Sequence, residues 1–125
     1  MDQENLESVD MLEHIFKEQK ELNEYLDEKR DINRVNDPEW VLNYVIAMNE
    51  ELAEVQRNLP WKWWKNESEI DREETLEELV DLLHFWVSAV QQLGYGADDV
   101  YNAYIDKNQE NQDRQTRDGE YNAGE

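Results

Sequence analysis

Apolar side chains recur at intervals near 3.6 residues along most of this chain, and almost no segment alternates in the way that a β-strand would. The pattern predicts helices over about 5–29, 38–58, 71–93 and 98–114, joined by short connections. Helices joined in this way pack as antiparallel neighbours in bundles. The sequence therefore predicts an all-α fold, a four-helix bundle.

Local signals define several of the predicted helix ends. Asp37 is a good N-cap, and Pro38 after it suits the first helical position. Asp71 and Glu74 form a D-x-x-E pattern that resembles a capping box at the start of the third helix. The glycine-containing run at 94–96 is a strong signal for the end of that helix.

The chain has 125 residues, which suits one compact domain. We assign residues 1–115 to this domain and residues 116–125 to a flexible C-terminal tail that a ligand or a neighbour would order. A helical domain of this size buries only a modest core. We therefore expect oligomerisation, as a dimer or a larger assembly, to complete the core.

Charge excludes several classes of partner. The chain has 32 Asp and Glu against 12 Lys and Arg, a net charge of −20, which repels nucleic acid and anionic membranes. The apolar run at 82–90 is too short to span a bilayer, and the acidic N-terminal stretch does not resemble a signal segment. We expect a cytoplasmic protein, in the host cytoplasm if the source is a virus. The acidity is compatible with a salt-adapted host.

Four acidic residues lie beside the apolar stripes of the second and third helices. Glu51 and Glu54 are three positions apart, about 60° around a helix, and Glu51 lies on the flank of its stripe. Glu78 and Asp81 repeat this spacing just before the most apolar part of the third helix. Burying such charges is costly. A hard cation such as Mg²⁺ removes the cost, because it prefers oxygen ligands and keeps waters for substrate phosphates.

A solvated helix face is the competing interpretation of these acids. For a single E-x-x-E pair in so acidic a chain, that interpretation is the stronger one. Two such pairs, each beside an apolar stripe, favour a metal site without settling the question.

Basic residues are scarce, and two groups of them suit an anion such as a triphosphate. Lys107, Asn111 and Arg114 fall at i, i+4 and i+7 of the fourth helix and share one face. Lys62 and Lys65 lie among tryptophans in the connection between the second and third helices. For these two lysines, ordinary solubilising charge is an equally good interpretation.

Polar side chains also interrupt the first and third helices. Gln19 and Asn23 are four positions apart on the first helix, and paired amides can read the edge of a base, although an exposed polar face is the commoner origin. His84 lies within the apolar part of the third helix, where a satisfied core histidine is the better interpretation. We expect Trp86 in the core and Trp61 in a mobile or ligand-facing position.

These residues together resemble a known family. Glu51-Leu52-Ala53-Glu54 and Glu78-Leu79-Val80-Asp81 are similar to the E-x-x-E and E-x-x-D signature of the all-α nucleoside triphosphate pyrophosphatases, the MazG-like superfamily. More specific segments resemble the dimeric all-α dUTP pyrophosphatases, or dUTPases. These segments are the Trp-Lys-Trp-Trp-Lys run at 61–65, the Lys-Asn-x-x-Asn-x-x-Arg-Gln run at 107–115 with Gly119 and Tyr121 beyond it, and the Gln-Lys-Glu-Leu-Asn run at 19–23.

The resemblance implies an all-α dUTPase fold and hydrolysis of dUTP to dUMP and pyrophosphate by metal-activated water attack. It implies that Glu51, Glu54, Glu78 and Asp81 hold Mg²⁺, and that Glu51 or Glu54 also orients the attacking water as a catalytic residue. The implied substrate contacts are Gln19, Asn23 and Trp61 to the base, and Lys62, Lys65, Lys107, Asn111, Arg114 and Tyr121 to the phosphates.

Two alternatives remain open from the sequence. One is a broader nucleoside triphosphate pyrophosphatase that acts on dCTP or non-standard triphosphates. The other is a non-catalytic acidic helical protein that binds a basic partner. The second alternative gives no reason for Lys107, Asn111 and Arg114 to share a helix face, so we rank it behind an enzyme.

Overall fold

The computed structural model describes residues 10–34, 37–65 and 69–121, with side chains as far as residue 117. Over these residues the chain forms four helices and no strand: α1 (Met11–Arg30), α2 (Glu39–Asn58), α3 (Arg72–Gln92) and α4 (Ala97–Tyr121). The predicted all-α, four-helix fold is confirmed. The predicted start of the first helix, at residue 5, lies outside the described residues.

The predicted capping is confirmed at the start of α3 and is displaced by one residue at the start of α2. The Asp71 carboxylate accepts a hydrogen bond from the backbone N–H of Glu74 at 3.1 Å, which satisfies an amide that the first turn of α3 cannot pair. At α2 the Asp37 carboxylate accepts from the N–H of Glu39 at 3.0 Å. Pro38 takes the N-cap position of α2, so this helix begins one residue later than predicted.

The turn between α3 and α4 depends on a glycine. Gly94 has a φ of 93°, a left-handed conformation that other residues rarely adopt. Its N–H donates to the carbonyl of Gln91 at 2.9 Å and thereby closes the end of α3. Beyond this turn α4 continues to Tyr121, past the predicted end at Arg114, so the first part of the predicted tail is helical.

An antiparallel pair of helices, α2 and α3, is the centre of the fold. Asn58 at the end of α2 lies beside Glu78 near the start of α3, and Gln92 at the end of α3 donates to the carbonyl of Asp37 just before α2 at 3.2 Å. Helix α1 packs against α3. The buried apolar side chains come from these three helices and are Phe16, Tyr44, Val55, Val87 and Ala89.

One arginine holds the connection between α1 and α2. The Nε–H of Arg34 donates to the Asp27 carboxylate at 2.6 Å, its guanidinium also donates to the Tyr44 hydroxyl, and it lies 4.7 Å from the centre of the Trp40 ring. The Arg34 side chain is only 13% exposed, so water screens these contacts weakly. Gln92 donates to the Arg34 carbonyl and fastens this connection to α3.

One face of the α2–α3 pair is apolar and open to solvent. Trp86 is 39% exposed there, so the expectation that it lies in the core is wrong. The chain exposes 10527 Å² of surface, whereas a compact monomer of its mass would expose about 7,100 Å². The core of a single chain is therefore incomplete. The apolar groove on this face has a volume of about 440 Å³ and is lined mainly by Val45, Met48, Leu52, Leu79, Leu83 and Trp86.

Helix α4 extends beyond the packed part of the chain. Among the described helices it approaches only α1, and every residue over 101–117 is exposed. A helix in water gains little stability from its own hydrogen bonds. Its stability therefore depends on further contacts. In the described part of the chain, no helix is both long and apolar enough to cross a bilayer.

We expect Arg34→Ala to lower the free energy of unfolding by about 2–4 kcal/mol, because Asp27 would stay partly buried without its cation. Urea denaturation followed by circular dichroism would measure the loss. The control is Arg30→Ala at the exposed end of α1, which should change stability by about 0.5 kcal/mol or less. Equal losses in the two variants would show that Arg34 has no special role.

Candidate active site

The antiparallel packing of α2 and α3 brings the four predicted acids to the same end of the helix pair. Glu51 and Glu54 lie towards the end of α2, and Glu78 and Asp81 lie near the start of α3. The Glu51 carboxyl group is close enough to the other three to feel the repulsion of each. The two acid pairs, separate in the sequence, therefore form one acid cluster.

Burial and repulsion act together on Glu51. Loss of solvent is the largest cause that raises the pKa of Glu51 above its ordinary value of 4.5. Repulsion from Glu54, Asp81 and Glu78 raises the pKa further, as does a side-chain hydrogen bond with Glu54. The ionised form of Glu51 is therefore disfavoured in the folded chain unless a positive charge compensates it.

Two oxygens of the acid cluster are buried without a hydrogen-bond partner among the described residues, Oε2 of Glu51 and Oε2 of Glu78. A buried carboxylate oxygen without a partner costs free energy, which a cation ligand would recover. The donor set therefore fits a hard divalent cation. The cluster is not a finished coordination shell, since no three acidic or histidine side chains of the described chain stand close enough to hold an ion as they are.

Asn58 touches the acid cluster, and the sequence interpretation missed it. Its side-chain Nδ2–H donates to Oε1 of Glu78 at 2.6 Å. This bond holds one oxygen of the Glu78 carboxylate and leaves Oε2 free of any described partner. A signal was available, because Asn58 lies seven and four positions after Glu51 and Glu54 and so shares their helix face.

The two predicted base-reading amides lie between α1 and α3. Gln19 Nε2–H donates to Asn23 Oδ1 at 3.0 Å, and Asn23 Nδ2–H donates to the Ser88 hydroxyl at 2.9 Å. The imidazole of His84 is bonded to the Gln19 amide oxygen. His84 is thus satisfied by a hydrogen bond as expected, but it is exposed and is not a core residue.

The described residues form three cavities near these elements. None of the four acids lines any of the three. Gln19 and His84 line a cavity of about 630 Å³ between α1 and α3. Asn23 and Ser88 line a second cavity of about 610 Å³, which also reaches Arg34. Both volumes lie within the range of small-molecule sites.

The predicted phosphate contacts are less well placed in a single chain. The Lys62 ammonium lies 5.4 Å from the centre of the Trp61 ring, and that ring makes an edge contact with Trp64 at 5.9 Å. Trp61 is about half exposed and Lys65 is exposed. These residues form a solvent-facing connection between α2 and α3, where both the anion-binding and the solubilising interpretation remain open.

The predicted phosphate-binding cations of α4 lie on a helix that approaches only α1 among the described helices. Lys107 and Arg114 are exposed and both approach Glu110, at 3.7 Å and 3.8 Å. Asn111 is exposed as well. Since α4 approaches neither α2 nor α3, the described residues of one chain do not bring this group to the acid cluster. The side chain of Tyr121 lies outside the described side chains.

Comparison with protein families identifies the chain. The family model described as dUTPase matches residues 11–93, more than half of the sequence. The chain belongs to the dUTPase family. Members of this family are dUTP diphosphatases and generally use a divalent metal ion. No curated protein and no solved structure matches the chain.

The family match divides the predicted site in two. It covers the four acids, the amides of α1 and the tryptophan-rich connection, all of which lie within residues 11–93. It ends before α4, so Lys107, Asn111 and Arg114 rest on the sequence resemblance alone. The part of this dUTPase-family chain that holds the acids is thus the part that the family defines.

We expect Glu51→Gln to stabilise the metal-free protein at neutral pH. The raised pKa means that the folded state disfavours the Glu51 carboxylate, a cost that is present above the folded pKa and disappears below about 4.5. Urea denaturation in the presence of chelator would show a higher free energy of unfolding for Glu51→Gln than for the wild type at pH 7. At pH 4 this difference would be lost. Glu50→Gln, at an exposed position of the same helix, controls for general relief of negative charge. Equal increases in the free energy of unfolding of the two variants would contradict a specific cost at Glu51.

Proposed function

We propose that this dUTPase-family enzyme hydrolyses dUTP to dUMP and pyrophosphate with Mg²⁺ held by Glu51, Glu54, Glu78 and Asp81. One observation carries the proposal: Glu51 and Glu78 each keep a buried oxygen without a described partner, on two different helices of one cluster. Mg²⁺ is the natural choice among divalent ions, because it accepts carboxylate ligands while retaining waters and substrate phosphates.

The metal ion and the side chains around it have different roles in the proposed reaction. Bound Mg²⁺ would neutralise the triphosphate and activate a water for attack on phosphorus. The carboxylate of Glu51 or Glu54 would orient that water and accept its proton as a general base. Asn58 keeps the Glu78 carboxylate in one orientation.

Substrate binding needs cations, because a chain of net charge −20 repels a polyanion. We assign phosphate contacts to Lys62 and Lys65, in the connection between α2 and α3, and to the α4 group of Lys107, Asn111 and Arg114, with Tyr121. We assign the base to Gln19 and Asn23, with Trp61 packing beside it. Neutral amides suit an uncharged base, and exposed lysines suit phosphates.

We further propose that the enzyme is a homodimer. The apolar groove of α2 and α3 is open, and the chain exposes far more surface than a compact monomer of its mass. A second copy would cover this groove. Since α4 stands apart from the acid cluster of its own chain, its cations reach a triphosphate by rearrangement of α4 or from the second copy. We place the reaction in the cytoplasm.

Pyrophosphate release tests the activity. With Mg²⁺ we expect release from dUTP, loss of release in chelator, and a fall of about 10²-fold or more in Glu51→Gln, Glu78→Gln and Asp81→Asn. Circular dichroism would confirm that the variants fold, and Glu50→Gln is the matched control. Normal turnover in all three variants would overturn the proposed site. Equal rates with dCTP would replace dUTP by the broader substrate class.

Sedimentation velocity tests the dimer. We expect the wild type to sediment as a dimer and Val45→Glu to shift it towards the monomer, because this change buries a charge in the apolar groove. The control is Asn43→Glu, an exposed position on α2 that does not line the groove. A monomeric wild type at micromolar concentration would contradict the dimer.

A further inference from the structure

Four side chains of α1 and α3 form a closed ring of hydrogen bonds, which we call the amide relay: His84, Gln19, Asn23 and Ser88. The relay runs from the His84 imidazole to Gln19 Oε1, then from Gln19 Nε2–H to Asn23 Oδ1. It continues from Asn23 Nδ2–H to the Ser88 hydroxyl oxygen. The Ser88 hydroxyl closes the ring by donating to the backbone carbonyl of His84 at 2.7 Å.

Burial makes the relay energetically important. Gln19 is 7% exposed and Ser88 is 3% exposed. Buried donors and acceptors must be paired, and leaving one unpaired costs free energy. Two members of the relay line one cavity and two line the other. The relay therefore fixes the groups that α1 and α3 present to both cavities.

A hydrogen-bonded ring of amides can run in two directions, and direction decides which atoms donate. Turning over the Gln19 amide alone would place two oxygens, Gln19 Oε1 and Asn23 Oδ1, face to face. Turning over both amides removes that conflict. Gln19 Nε2–H would then donate to the unprotonated Nδ1 of His84, and Asn23 Oδ1 would need a donor at Ser88.

The single hydrogen of the Ser88 hydroxyl decides between the two directions. That hydrogen is already committed to the backbone carbonyl of His84. While it donates there, Ser88 accepts from Asn23, and Asn23 presents its N–H side to Ser88. The Gln19 amide follows, and the Nδ1 of His84 must carry the ring hydrogen because Gln19 Oε1 has none.

This direction matters for the choice of base. Uracil and cytosine have the same shape, but uracil carries an oxygen acceptor where cytosine carries an amino donor. A site with fixed donors and acceptors rejects the base whose groups are reversed, because buried polar groups are left unpaired. A site whose amides can turn over accommodates both bases.

We propose that Ser88 is a specificity-determining positioning residue, which fixes the orientation of Gln19 and Asn23 and so makes the enzyme prefer uracil over cytosine. This inference rests on the proposed function, in which those two amides contact the base. Ser88 acts through the amides, and His84 carries the other end of the relay.

Ser88→Ala tests the relay, because it removes the hydroxyl that selects the direction. We expect the ratio of kcat/KM for dUTP to that for dCTP to fall at least about tenfold, mainly through a gain with dCTP. Calorimetric titration with dUMP and dCMP should show the same loss of preference without catalysis. Ser88→Thr, which keeps a hydroxyl, should restore most of the ratio. Should Ser88→Ala fail to fold, Ser88→Cys replaces it, since a thiol donates and accepts only weakly.

Control variants separate the role of Ser88 from a general loss of stability and from the base site itself. Ala89→Gly, a buried neighbour on α3 outside the relay, should lower stability and keep the ratio. An unchanged ratio in Ser88→Ala, alongside a loss of preference in Gln19→Ala and Asn23→Ala, would overturn the role of Ser88 and leave the base site in place. An unchanged ratio in all three variants would overturn the base site as well.

Discussion

Repulsion among four carboxylates is the constraint around which this molecule is organised. Two antiparallel helices hold Glu51 near Glu54, Glu78 and Asp81, and burial of Glu51 adds to this repulsion in raising the pKa of its carboxyl group. An arrangement of this kind persists only because the rest of the helix pair packs well, through Val55 and Val87 in the core and through the Arg34 connection at the opposite end. The stable end of the pair thus supports the unfavourable end, where we place the metal.

The same helix pair is only half covered. Its contact with α1 buries one side and carries the amide relay, while the other side exposes the apolar groove. The acid cluster, the relay and the groove each include residues of one helix, α3. It contributes Glu78 and Asp81 to the cluster, His84 and Ser88 to the relay, and Trp86 to the groove. The proposed metal site, base contacts and dimer interface would therefore be coupled, because all three include residues of this helix.

Local rules explain why much of the fold was predictable. The 3.6-residue period gave four helices, and capping at Asp71 and termination at Gly94 follow from bonds that a few neighbouring residues make. The length of α4 and the exposure of Trp86 were not predictable, since both depend on what else packs against them. The family followed from the resemblance of several segments to known motifs, and the two acid pairs were recognised from their spacing beside the apolar stripes. Spacing indicates only that Asn58 shares a helix face with Glu51 and Glu54. The hydrogen bonds of Asn58 and Ser88 were not predictable, because each joins two different helices. The ligand, catalytic and substrate roles of the site residues stay predictions.

The two amides and the hydroxyl of the relay carry no charge, and this has a consequence for behaviour in salt. Contacts between lysines and phosphates weaken as ions screen them, with a screening length of about 8 Å at physiological ionic strength and about 3 Å at 1 M. Hydrogen bonds among uncharged, buried side chains are largely indifferent to that screening, and Gln19 and Ser88 are both buried. At high salt the proposed lysine–phosphate contacts would therefore weaken, while the proposed choice of base would not change. Affinity and fidelity would be set by separate forces.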